Sequence, residues 1–377
     1  MPKTAMTATA DSPINQSLSL TKLNQPRVRG PAVFRPRLMQ MLDSASNLTL
    51  VIAPAGYGKT MLLSAWLDTQ PRPSAWLSLD EHDNDLVVFV SYLIAAVRTQ
   101  FPAACAETLA LINGMTLPPA AVISRSLSNE LAAIQPEFVL VLDDYHVIRE
   151  RTIHEVLTEL TRRPPPALHL IFAARNDPAL PLASLRARGH VVELREADLR
   201  FSLDEAASFL REDMRLDVDD QIVAKLNGYT EGWIAGLRLT ALYFQHTGDV
   251  TLLAADPKGY NRYIMSYLVA EVLELVPPAI HDFLIKTAIL ERFCAPLCDA
   301  VTGLSDAQGD ARASLEWLER NNLFLLSVDE EHRWFRYHHL FRRLLLDQLE
   351  QQRGRAEVNA LHERASAWFE QDGYAEE

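Results

Sequence analysis

The sequence is short of cysteine, short of net positive charge and without any long apolar run. Its 377 residues include three cysteines, Cys105, Cys294 and Cys298. Cys294 and Cys298 form a C-x-x-x-C pair, but no second pair stands at zinc-ligand spacing, so reduced thiols are expected rather than a metal module. The formal net charge is −13, from 36 Lys and Arg against 49 Asp and Glu. That balance argues against a nucleic-acid surface as the dominant feature. No charged segment leading into an apolar core opens the chain. No apolar run approaches the ~20 residues of a membrane span. A cytoplasmic protein with no membrane partner is expected. What is present is 48% hydrophobic residues, enough for a substantial core, and a length that allows two or three domains.

One stretch organises the rest. Leu48-Thr49-Leu50-Val51-Ile52 reads as a buried strand, Ala53-Pro54-Ala55-Gly56-Tyr57-Gly58-Lys59-Thr60 as a loop, and Met61 to Leu67 as a helix. Strand, glycine-bearing loop, Lys-Thr and helix make up the context of a phosphate-binding loop. The unpaired N–H groups of a first helical turn, with the helix dipole, favour anions. Gly56 and Gly58 let the backbone wrap close to phosphate oxygens with no Cβ in the way. Lys59 would supply charge to the β- and γ-phosphates, and Thr60 would offer its hydroxyl to Mg2+. The usual pattern opens with glycine. Here that position is Ala53, which must then hold a negative φ.

Residues 1–20 are rich in Thr, Ser, Ala and Asn and read as a disordered leader. The Pro- and Arg-rich stretch to Pro31 reads as extended, and Val33 to Leu38 leads into a short helix ending near Asp43. An extended segment placed just before the first strand is a candidate cover for a nucleotide base. A second strand, Ala75 to Leu79, ends in an acidic cluster from Asp80 to Asp85. That cluster is either a ligand site at a strand's carboxyl end or a solvated helix N-terminus. Helices follow from Leu86 to Thr99 and from Pro119 to Ile134. The strand Phe138 to Leu142 then runs into Asp143 and Asp144. An NTPase needs a carboxylate near the metal and often a second to polarise water. Asp143 is therefore the candidate for Mg2+, through its water shell, and Asp144 the candidate general base. After a helix from Ile153 to Leu160, the strand Leu168 to Ala173 leads to Arg175, which would reach a γ-phosphate. Val191 to Leu194 reads as a fifth strand. Alternating strands and helices indicate an α/β region with a parallel sheet.

From Ser202 onward the pattern turns helical. Ser202 and Glu205 stand at capping-box spacing. Helices are expected near 204–212, 219–226, 233–245, 260–275, 278–290 and 314–321. Leu323 to Val328 and Arg333 to Tyr337 read as a hairpin around an acidic turn, followed by a helix from His338 to Leu349. Helices followed by a hairpin resemble a winged helix, though the acidic tip disfavours contact with phosphates. In the tail, Leu361, Ala365 and Trp368 share one face of a helix over 358–369. That exposed apolar face implies a shortened chain or the first helix of an array.

Together these motifs resemble the MalT-like group of ATP-binding LuxR-type regulators, within the STAND NTPases. The resemblance runs from Thr21 to Glu377. It rests on the phosphate loop, Trp76 to Glu81 with Asp83-Asn84, Leu142-Asp143-Asp144, and Arg175-Asn176-Asp177-Pro178. Leu185 to Gly189, Leu199-Arg200-Phe201, Glu231-Gly232-Trp233 with Gly236-Leu237, and Phe335 to Phe341 complete it. Relatives of this type share the alanine at position 53.

The resemblance implies a P-loop nucleotide-binding domain over 21–200, a helical domain over 201–290 and a winged-helix domain over 291–352. Residues 353–377 would begin a helical repeat or linker. It implies ADP or ATP with Mg2+ as cofactors. The nucleotide would lie against Val33, Phe34, Pro54, Ala55, Gly56, Tyr57, Gly58, Lys59, Thr60, Met61, Arg175 and His338. Arg175 matches a sensor arginine, and His338 the winged-helix histidine that touches the ADP β-phosphate. ADP would hold a closed monomer. An inducer, small molecule or protein, would act through missing C-terminal repeats and favour ATP and self-association. DNA would be reached only through a helix-turn-helix absent from this chain. Two other readings stay open: a nucleotide-bound scaffold that does not hydrolyse, and a P-loop phosphotransferase.

Overall fold

A computed structural model of the chain describes residues 18–26, 33–44, 46–247, 258–271, 273–303, 310–321, 323–329 and 331–371. Most of the expected leader, the extended stretch over 27–32, Glu330 of the acidic turn and residues 372–377 lie outside them. The described residues divide into two compact units. The first contains 18–26, 36–52 and 59–195; the second contains 33–35, 53–58 and the residues from 196 onward.

The first unit is a five-stranded parallel sheet with helices. Its strands are β1 (Leu48–Ile52), β2 (Ser74–Ser78), β3 (Phe138–Asp143), β4 (Leu168–Ala174) and β5 (Val192–Leu194). Their order is β2-β3-β4-β1-β5. Every residue of β1, β3 and β4 is buried, as near-continuous apolar strands covered on both faces must be. The helices are α1 (Pro36–Leu42), α2 (Lys59–Leu67), α3 (Leu86–Arg98), α4 (Ala106–Ile112), α5 (Ala120–Ala132), α6 (Arg151–Arg162) and α7 (Leu182–Ala187). Residues of β1, β3 and β4 share one core with Phe89 and Leu93 of α3, Leu127 of α5 and Leu157 of α6. Strand β4 lies between β1 and β3, so the residue that follows it, Arg175, comes between the ends of the strands leading to Lys59 and Asp143.

Two helices of this unit are not apparent in the sequence pattern. α4 starts after Cys105, a left-handed residue with no side-chain cap. Its first N–H groups are satisfied from α5: the Glu130 carboxylate accepts from Glu107 N at 2.9 Å and Thr108 N at 2.8 Å. A cap borrowed across 22 or 23 residues leaves no local signal. α7 follows Pro181 and is pinned by ion pairs from Arg186 to Asp177 and Glu193.

The second unit is mostly helical. It begins with α8 (Glu196–Leu199), α9 (Leu203–Ser208), α10 (Asp220–Thr230) and α11 (Ile234–Thr247). The capping box forms: Glu205 N donates to Ser202 Oγ at 3.2 Å, and Ser202 N donates to the Glu205 carboxylate at 3.0 Å. Phe209, Leu210, Leu226 and Leu237 build the local core. Helices Lys258–Glu271, Pro278–Thr287, Ala295–Thr302 and Ala311–Arg320 precede an antiparallel hairpin of β6 (Leu325–Ser327) and β7 (Phe335–Tyr337). The final helix, His339–Gln371, is broken at Gly354, whose φ is +69°.

Three expectations shift here. Ala295–Thr302 is an additional helix. β6 is shorter than the apolar run because Phe324 takes φ +52°. The tail's apolar face is covered within this unit, with Leu361 and Ala365 buried, so it does not stand exposed. Among the described residues no helix is long and apolar enough to cross a membrane.

Candidate functional site

In the first unit the chemistry gathers at the carboxyl ends of parallel strands. α2 begins at Lys59, two residues earlier than its apolar pattern, so Lys59 and Thr60 occupy the first turn. Thr60 Oγ1 lies 3.1 and 2.9 Å from the two carboxylate oxygens of Asp143 and donates to them. Asp144 N–H donates to Asp143 Oδ1 at 3.1 Å. Asp144 itself sits in the left-handed region at φ +57°, with its side chain half exposed. This turn leaves Asp144 partly exposed while Asp143 stays buried.

The electrostatics match a site that holds charge in reserve. Burial, then the neighbouring Asp144, raises Asp143 to about 6. Burial lowers Lys59 to about 8, with Asp144 opposing the shift and Arg175 adding to it. Lys59, Thr60, Asp143, Asp144 and Arg175, five residues picked from sequence, are thus electrostatic neighbours or hydrogen-bond partners. A hydroxyl and a buried carboxylate at this separation are hard oxygen donors, a set that suits Mg2+.

The acidic cluster after β2 does other work. Asp83 is fully buried; it accepts from Lys22 Nζ at 2.8 Å and from Asp80 N at 2.8 Å. Asp80 pairs with Lys22 at 2.7 Å, and Asp85 caps α3. These carboxylates are committed to caps and an ion pair, in keeping with the helix N-terminus reading.

The loop residues 53–58 belong to the second unit. Ala53 holds no positive φ, whereas Gly56 and Gly58 lie at +79° and +76°. Trp233 Nε1 donates to Ala55 O at 3.0 Å, and Ala235 N to Gly56 O at 3.0 Å. A Cβ on Gly56 would meet Ala235 Cβ at 2.6 Å and Trp233 Nε1 at 2.7 Å. Gly56 therefore answers to packing as well as to backbone angle. Among the described residues the N–H groups of Gly56 and Gly58 donate to no acceptor. Tyr57 contributes backbone only, because its buried phenol donates to Glu196 at 3.0 Å. Val33 packs partly into the local core, and Phe34 is 67% exposed. Arg35 fixes the same segment by donating to Leu199 O, Arg200 O and the Glu205 carboxylate.

His338 is buried. Its Nε2 donates to Thr230 O at 3.2 Å, and its Nδ1 accepts from Leu340 N at 3.4 Å. Burial holds it down at about 4, hence neutral at pH 7. Its ring packs edge-on to Trp233, the residue bonded to Ala55.

The adjacent charge hub was not legible in advance. Glu231, left-handed at φ +49°, accepts from both Nη atoms of Arg336 at 3.0 and 2.9 Å and from His339 Nδ1 at 2.9 Å. Burial works to raise Glu231, but the His339 and Arg336 bonds override it and hold the carboxyl well below its usual range. Glu231, His338 and His339 stand within metal-ligand spacing. A guanidinium on both carboxylate oxygens makes that spacing an ion-pair hub.

Comparisons with known proteins bear on the fold and the kinship of the chain. Residues 269–357 match the MalT winged helix domain. The HTH-type transcriptional regulator MalT of Vibrio cholerae is 30% identical over 354 residues, which is 93% of this chain and 39% of that protein. Over most of its length the chain is thus a homologue of the MalT-type regulators. The serine/threonine-protein kinase PknK of Mycobacterium tuberculosis is also similar, 32% identical over 353 residues, covering 92% of this chain and 31% of the kinase. The chain spans about two fifths or less of the length of these relatives. One MalT-like stretch is thus shared by proteins with different named outputs. Among solved structures, a Walker-type ATPase of Pyrococcus abyssi superposes with a TM-score of 0.59 at 18% identity, covering 83% of this chain and 95% of that one. That likeness bears on the fold.

Proposed function

We propose that this MalT-like chain is a nucleotide-operated regulatory switch. ADP holds its resting form; ATP gives an active form that self-associates; slow hydrolysis resets it. The observation that carries the reading is the pairing of Thr60 with Asp143, beside Lys59, Asp144 and Arg175 at the ends of parallel strands. Thr60 and Asp143 would hold Mg2+, which supplies charge to the phosphates when bound. Lys59 and Arg175 would offset charge on the β- and γ-phosphates. Asp144 would take the proton of the attacking water. Loop N–H groups from Ala55 to Met61 would wrap the phosphates beside Pro54, with Val33 and Phe34 against the base.

His338 would report the nucleotide to the winged helix, releasing Thr230 O to reach the β-phosphate. A contact made in only one state is what shifts a two-state equilibrium. The domain division at about 200, 290 and 352 belongs to this proposal. So do an inducer sensed through repeats beyond this chain, and DNA reached through a separate helix-turn-helix.

The test begins with the purified chain. Denaturation followed by chromatography should release one ADP or ATP per chain, and Lys59→Ala should come out empty. A wild-type chain that is empty and binds neither added ADP nor ATP would end the switch reading. If nucleotide is bound, ATP turnover with Asp144→Asn separates a hydrolysing switch from a static scaffold. Turnover unchanged by that substitution removes Asp144 as the base.

A further inference from the structure

The acidic turn of the hairpin is left unused by the function above. It borders a cleft of about 920 Å3 inside the second unit. The cleft lies between the hairpin, the start of the helix Ala295–Thr302, the helix Ala311–Arg320 and the end of the final helix. Its volume is in the range of sites that take small molecules. Trp334, Phe335, Leu315 and Trp368 give it aromatic and apolar walls.

These walls are built on fixed backbone. Trp334 N donates to Asp329 Oδ1 at 3.1 Å, and Trp334 O accepts from Val328 N at 2.8 Å. Phe335 exchanges two main-chain bonds with Phe293, at 2.8 and 2.9 Å. Trp368 shares a helix face with Leu361 and Ala365, both buried, and its ring meets Phe369 edge-on with centroids 5.3 Å apart. The second turn of the hairpin thus carries one tryptophan and the tail helix the other.

The charges on the lining are three carboxylates, Glu316, Glu319 and Glu331, against two guanidiniums, Arg312 and Arg333. Glu316 meets Arg312 at 3.4 Å and Arg320 at 2.9 Å; Glu331 meets Arg333 at 3.0 Å. Glu319 bonds His332 Nδ1 at 2.8 Å. The side chains of Arg312 and Arg333 are each 75% exposed. Pairs so open to water contribute little, so an incoming cation can exchange with them. One cation already uses an aromatic wall: the Arg292 guanidinium stands 5.8 Å from the centroid of the Trp334 ring. Indole rings attract positive charge at this range through their quadrupole.

We propose that this cleft binds a small organic cation, an amidinium, guanidinium or ammonium group carried on an apolar body. The charged head lies against Trp334 and Trp368 with Glu316, Glu319 and Glu331 as its counter-charge, and the body covers Leu315 and Phe335. A neutral molecule of the same shape gains the walls but not the charge. An anion meets three carboxylates. The acidity that disfavours phosphate at the hairpin is, at this cleft, what selects the ligand. The inference is independent of the nucleotide reading.

The test titrates the full chain by calorimetry with three flat molecules of similar shape: benzamidinium, neutral benzamide and benzoate. Benzamidinium should bind once per chain and at least about tenfold more tightly than benzamide, and benzoate should not bind. Trp334→Leu and Trp368→Leu should each weaken benzamidinium by at least about threefold. Glu319→Gln, a change at an exposed side chain, should weaken it about twofold and guards against loss through unfolding. The ranking of the three molecules needs no variant at all. Benzamide binding as tightly as benzamidinium would overturn the cation assignment, and so would no binding by any of the three. Benzamidinium affinity untouched by both tryptophan changes, or abolished by Asp143→Asn, would place the cation elsewhere and overturn the site.

Discussion

Two carboxylate clusters, one in each unit, show how differently the same side-chain types are used. In the first unit, Asp143 is buried beside Asp144 and pushed up to about 6. Its nearest direct donors are a neutral hydroxyl and a backbone N–H. In the second unit, Glu231 is met by a bidentate guanidinium and an imidazole, and is held well below its usual range. The first cluster costs the ligand-free protein something and keeps capacity for an added cation. The second is satisfied by its own neighbours and ties β7 and the last helix to the end of α10. Charge is satisfied within the protein at Glu231 and left with few partners at Asp143.

That contrast can be broken in order of size. The largest effect is expected at Gly232, beside the Glu231 hub. Its φ is +72°, and a Cβ there would lie 2.9 Å from Phe201 O. Gly232→Ala should cost about 2–4 kcal/mol in chemical unfolding of the second unit, from backbone strain plus a clash with main chain. A loss below about 1 kcal/mol would show that the hub's backbone is less constrained than its contacts indicate.

Next is Glu231→Gln, which removes the charge and keeps the shape. It should destabilise the protein by about 1–3 kcal/mol at pH 7. A carboxyl held low in the folded state stabilises it above the unfolded value of 4.5, and that contribution is lost as pH falls below it. The gap between wild type and Glu231→Gln should therefore be full near neutrality and close on acidification. A gap independent of pH would mean that packing, not charge, holds the hub.

The smallest change should have the opposite sign. Asp143→Asn should stabilise the nucleotide-free protein by about 1–2 kcal/mol at pH 8, since it removes a buried carboxylate facing Asp144. A carboxyl raised from 3.8 to about 6 penalises the fold as pH climbs through that interval, so the advantage should vanish below the lower value. The same variant should lose Mg2+-dependent nucleotide binding. Destabilisation at pH 8 instead would place Asp143 with Glu231 as a structural carboxylate and erase the comparison.

Much of the first unit's site was legible because its signals are local. Strand, loop and Lys-Thr fall within thirteen residues, from Leu48 to Thr60. Asp143, Asp144 and Arg175 each follow a continuous apolar run. The missed features depend on distant chain. The Glu130 cap on α4 lies more than twenty residues away from the N–H groups it serves. The Trp233 bond to Ala55 spans 178 residues, and the Arg336 bonds to Glu231 span 105. Tyr57 looked like a loop residue open to ligand, yet its phenol is taken by Glu196, 139 residues on.

The sequence alone determined the parallel α/β unit, the phosphate loop with alanine at its head, the carboxylate pair and the change to helices after Ser202. Each is written in periodicity or in a short motif, where neighbours in sequence are neighbours in space. Tertiary structure decided which charges are satisfied and which are left in reserve. It set Asp143 against Asp144, closed Arg336 and His339 on Glu231, and bonded His338 to Thr230. Burial and hydrogen-bond partners fix a side chain's protonation, and those are set by where the chain returns, which no local pattern records.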